Sequence, residues 1–66
     1  MDDLTQRELD ILSLFGRGRT AEEIGSILGI APRTAAILIQ RATLKLGASD
    51  SRDAVAVAVR RGLLVT

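Results

Sequence analysis

Thr5-Gln6-Arg7-Glu8 and Thr20-Ala21-Glu22-Glu23 each place a hydroxyl three positions ahead of a carboxylate, directly before an apolar run. That spacing makes a capping box: the hydroxyl accepts from an amide in the first helical turn, and the carboxylate reaches back to the amide of the cap residue. Two such starts in a chain of 66 residues, each followed by glycine, leave room only for short helices. The first is expected to begin at about Gln6 and to bury a stripe of Ile11, Leu12, Leu14 and Phe15, with Leu4 packing on its opening turns. Gly16 and Gly18 end it. The second starts after Thr20, carries Ile24, Ile27 and Leu28 as its apolar side, and closes at Gly29.

A tight turn at Ile30 and Ala31 leads into Pro32. Proline suits the first position of a helix because the N–H it lacks has no helical partner there. A third, longer helix is expected from about Pro32 to Leu46, stopped by Gly47. A short helix, a brief turn and a longer helix make a helix-turn-helix. Asp50 followed by Asp53 signals one more start. The segment behind it alternates Ala54, Ala56 and Ala58 with Val55, Val57 and Val59, a period that also suits a strand. A helix is the better reading, since a lone strand among helices leaves its backbone groups unpaired, and Gly62 is placed as a stop. One all-α domain over residues 1–66 accounts for the whole sequence.

Composition removes most chemistry. With no cysteine and no histidine, disulfides, thiolate nucleophiles, imidazole bases and nearly all transition-metal sites are unavailable, and no cofactor or metal is expected. No glycine-rich phosphate loop is present, so an enzyme is not expected. No apolar stretch reaches the roughly 18–20 residues of a membrane span. The acidic start Met1-Asp2-Asp3 is unlike a secretory leader, and a cytoplasmic protein is expected. The net charge is only +1 but is unevenly spread. Asp2, Asp3, Glu8, Asp10, Glu22 and Glu23 outweigh Arg7, Arg17 and Arg19 in residues 1–30, whereas residues 31–47 hold Arg33, Arg41 and Lys45 with no acid. Such a basic middle suits a polyanion, although a solvated helix face accounts for it as well.

Leu4-Thr5-x-Arg7-Glu8, Ile11-Leu12, Gly18, Thr20, Glu23-Ile24, Leu28-x-Ile30, Thr34, Lys45-Leu46-Gly47, Ala54-Val55, Ala58 and Gly62-Leu63-Leu64 together resemble the LuxR-type, or GerE-type, helix-turn-helix domain, without a gap. The resemblance implies a four-helix DNA-binding domain whose third helix enters the major groove of double-stranded DNA and whose fourth helix supports a homodimer. It also implies transcription regulation, usually by such a domain at the C-terminus of a longer regulator.

Laid out at 100° per residue, the third helix turns Ala35, Ile39, Ala42 and Leu46 inward. The outer arc then holds Arg33, Ala36, Ile37, Gln40, Arg41 and Leu44, with Thr34 at its edge. Where the family often has Ser, Lys, Lys and His, this chain has Ala31, Glu22, Ala36 and Leu38, and each change removes a phosphate partner. The DNA-binding residues expected are Arg19, Thr20, Arg33, Thr34, Ile37, Gln40, Arg41 and Lys45, with Arg17 nearby. On the fourth helix, Ala56 and Val57 are expected to point away from an inward line of Ala54, Val55 and Ala58, and with Arg60 to form the dimer contact. A second reading keeps the fold but uses the apolar part of the arc to bind another transcription protein, as an anti-activator or accessory factor.

Overall fold

The described residues, 4–65, form four helices in the computed structural model: α1 (Gln6–Gly16), α2 (Ala21–Leu28), α3 (Pro32–Lys45) and α4 (Ser51–Arg60). Met1, Asp2 and Asp3, on which the reading of a non-secretory start rests, lie outside the described residues, as does Thr66. Both capping boxes are complete. The Glu8 amide donates to Thr5 Oγ1 at 3.1 Å while the Thr5 amide donates to Glu8 Oε1 at 2.9 Å. Thr20 and Glu23 repeat the exchange at 3.2 and 2.9 Å. Asp50 caps α4 by accepting from the Asp53 amide at 2.8 Å, and Asp53 in turn accepts from the Ser49 amide at 3.0 Å. The alternating Val/Ala segment is therefore helical.

Every helix ends in the same manner. The chain passes through a glycine with positive φ (Gly18, Gly29, Gly47, Gly62), and the next amide donates five residues back: Arg19 to Leu14, Ile30 to Gly25, Ala48 to Thr43 and Leu63 to Ala58. The α1 terminus settles on Gly18, since Gly16 is still helical. Helix α3 stops at Lys45, one residue short of the expected Leu46.

Two apolar clusters share α1 and α3. Ile11, Ile24, Ala35 and Ile39 join α1, α2 and α3; Leu12, Ala42, Leu46, Ala54 and Ala58 join α1, α3 and α4. Neighbouring Ile11 and Leu12 thus face different clusters, and the Ala35, Ile39, Ala42, Leu46 line of α3 runs through both. Small residues on that line let the helices approach closely, which lets so short a chain bury a common core.

Two expectations change. Ile27 is 56% exposed, because Ile24 and Leu28, one turn apart on the same side, already fill the space against α1 and α3. Val57 does not point away from the core: it is half-buried and packs on the second cluster, as does Val55. Both valines stand about 80° to either side of the Ala54–Ala58 line, so both lie at its margins. Among the described residues, no helix is long and apolar enough to cross a membrane.

Candidate nucleic-acid interface

Helix α3 owes its position to α2 and the turn between them. Gly25 sits in the interior of α2, a costly place for glycine, and the reason is a close approach by the backbone. A Cβ at Gly25 would lie 2.5 Å from the Ile30 carbonyl oxygen and 3.2 Å from the Pro32 nitrogen. Gly29 follows at φ 72°, a left-handed conformation that most side chains resist. The Gly25 carbonyl accepts from both Gly29 and Ile30, so the turn is anchored to α2 before α3 starts. Leu28, Ile30 and Leu38 then pack on the first cluster and hold the two helices together.

With Ala35, Ile39, Ala42 and Thr43 buried, α3 leaves Arg33, Thr34, Ala36, Ile37, Gln40, Arg41 and Leu44 exposed on its far side. The expected arc is thus an open face. Leu38, in contrast, is half-buried against the first cluster and stands at the margin of that face. Helix α3 contains neither Asp nor Glu. Its N-cap, Ala31, makes no side-chain hydrogen bond, and its first turn carries the cation Arg33 where the helix dipole favours an anion. Neither choice stabilises the helix, and together they leave an uncapped, positively charged end.

The remaining sequence-expected residues divide. Arg19 and Thr20 are exposed at the start of α2, where Thr20 is the cap and Arg19 pairs loosely with Glu23 at 3.9 Å. That exposed pair contributes little energy. Glu22 is also exposed in this first turn. Lys45 reaches inward at the end of α3: its Nζ donates to Glu8 Oε1 at 2.8 Å. Ala56 and Arg60 are exposed on α4, whereas Val57 divides its surface between core and solvent.

Sequence reading did not find the Glu8–Lys45 pair. Glu8 is only 2% exposed, and its partner lies on another helix. Burial alone would raise the Glu8 carboxyl and is the largest single influence. The Lys45 hydrogen bond, the Thr5 bonds and the Lys45 charge together outweigh it, leaving the group below its ordinary value of 4.5. The Gly25 approach was signalled only by a glycine inside an otherwise regular helix.

Comparison with known proteins assigns this arrangement to a family. Residues 2–58 match the GerE family, described as bacterial regulatory proteins of the luxR family. The transcriptional activator protein SolR of Ralstonia solanacearum is 43% identical over 61 residues, covering 92% of this chain and 26% of that protein. The transcriptional activator protein BjaR1 of Bradyrhizobium diazoefficiens is also 43% identical over 61 residues, 92% of this chain and 25% of its own. The quorum sensing-dependent transcriptional regulator VjbR of Brucella abortus is 41% identical over 61 residues, 92% of this chain and 24% of its own. The chain therefore spans about a quarter of the length of these relatives. On the match of most of its length, with the four-helix architecture to go with it, the chain belongs to the luxR family of bacterial regulatory proteins.

Proposed function

We propose that this domain regulates transcription by binding double-stranded DNA, with α3 in the major groove and α4 pairing two copies. The observation that carries the reading is the outer face of α3: Arg33, Thr34, Gln40 and Arg41 are exposed together on a helix free of acids, held by a helix-turn-helix. Arginine suits the paired acceptors of guanine, and glutamine suits adenine. The uncapped start of α3, with Thr20 and Arg19 at the start of α2, supplies donors for phosphates on either side of the groove. Ile37 lies within the same face, and Lys45 supports it from its pair with Glu8. On α4, Ala56, Val57 and Arg60 form the surface for a second copy. The relatives, described as transcriptional activators and regulators, favour this reading over a protein-binding use of α3.

The test is an electrophoretic shift assay with genomic fragments at low salt. Binding is expected, and Arg41→Ala, at an exposed position, should weaken it about five- to a hundredfold while leaving the helical circular dichroism unchanged. If no duplex is retarded at any protein concentration that stays soluble, the proposal fails.

A further inference from the structure

The exposed apolar side chains of α3 are placed in a particular order. Residues four apart share one line on a helix surface. One line of α3 reads Arg33, Ile37, Arg41; its neighbour reads Ala36, Gln40, Leu44. All six are exposed, Ile37 by 45%. The core has no use for Ile37, because Ala35 and Ile39 on either side of it fill the inward positions. A partner protein is the weaker match for this surface: α3 carries no aromatic side chain to anchor a protein interface, and the relatives are described as transcriptional activators and regulators. The floor of the major groove is a good match. It offers oxygen and nitrogen acceptors to arginine, an adenine edge to glutamine, and one apolar group among the four bases, the 5-methyl of thymine.

Resting on the DNA-binding reading, we infer that Ile37 is a specificity-determining residue that packs on a thymine 5-methyl group. The preferred half-site then holds a thymine opposite the middle of α3, beside base pairs that hydrogen-bond to Gln40 and the flanking arginines. Ile37 selects by shape and apolar contact where the neighbouring side chains select by hydrogen bonding. A face with few cations gains base discrimination in this way without adding charge.

The experiment selects a preferred sequence from a pool of random duplexes on the 66-residue chain at low salt. Each thymine of that sequence is then replaced in turn by deoxyuridine, which lacks only the methyl. One replacement in each half-site should weaken binding about fourfold, the ~0.8 kcal/mol of one buried CH₂ group. Ile37→Ala should bind the thymine and deoxyuridine duplexes equally, with unchanged circular dichroism. The inference is overturned if every replacement leaves binding unaltered, if the selected sequence lacks thymine, or if Ile37→Ala keeps the discrimination. It is also overturned if the free chain self-associates in sedimentation and Ile37→Ala abolishes that association, since the face then belongs to a second copy. Retention of no duplex at low salt would instead sink the DNA-binding reading itself, and this inference with it.

Discussion

Glu8 uses a single oxygen for two partners. Its Oε1 closes the cap of α1 by accepting from Thr5 and ties α1 to the last turn of α3 by accepting from Lys45. Removing one partner of a buried pair costs more than the pair contributes, because the other is left in poor solvent. Here Lys45 retains some solvent access, with its side chain 31% exposed, which tempers the loss. Glu8→Gln keeps the shape and an acceptor for Thr5 but removes the charge, and should lower stability by about 1–2 kcal/mol at neutral pH. The lowered Glu8 carboxyl fixes the sign of the pH dependence. The ionised form is favoured in the fold, so its stabilisation is complete above the ordinary value of 4.5 and is lost as pH falls through the lower folded value. Melting curves taken from neutral pH downwards should show the gap between wild type and Glu8→Gln closing on acidification. A gap that stays constant with pH would contradict the role given to this carboxylate.

At the scale of elements, what the sequence makes legible is what is local. Thr5, Thr20 and Asp50 announce helix starts because their partners lie three residues away, and the glycine after each helix marks a turn that other residues resist. The inward line of α3 and its open face follow from period alone. Val57 was harder, since a position about 80° from the centre of a buried stripe is decided by how closely the neighbouring helix comes. Glu8–Lys45 was illegible for a different reason: the partners are 37 positions apart, and nothing in either segment names the other. The α2–α3 joint gives the sharpest test of an element. In Gly25→Ala the new methyl meets the backbone oxygen of Ile30, which cannot rotate away as a side chain would. That substitution should cost about 2–3 kcal/mol, at the upper end for overpacking, and weaken DNA binding by displacing α3. An alanine variant with unchanged melting temperature would show that the two helices are not in fact so closely joined.

For the molecule as a whole, the division of labour is between buried small residues and an open α3. Alanines at 35, 42, 54 and 58 bring four helices together around few large side chains, and Ile11, Leu12 and Ile24 are the largest that are fully buried. A core of this size supplies only about 3–5 kcal/mol, so a second copy on α4 would add usefully to stability. The core is thereby built on one side of α3 while the other stays exposed, as the proposed DNA contact requires. A titration of isotopically labelled protein with a non-specific duplex at low salt, followed by amide NMR, tests this most directly. Shifts should concentrate between Arg33 and Arg41, with smaller changes at Arg19 and Thr20, and should fade as salt rises. Shifts confined to α1 and α4, or none at the lowest salt, would contradict the claim that the exposed side of α3 meets DNA.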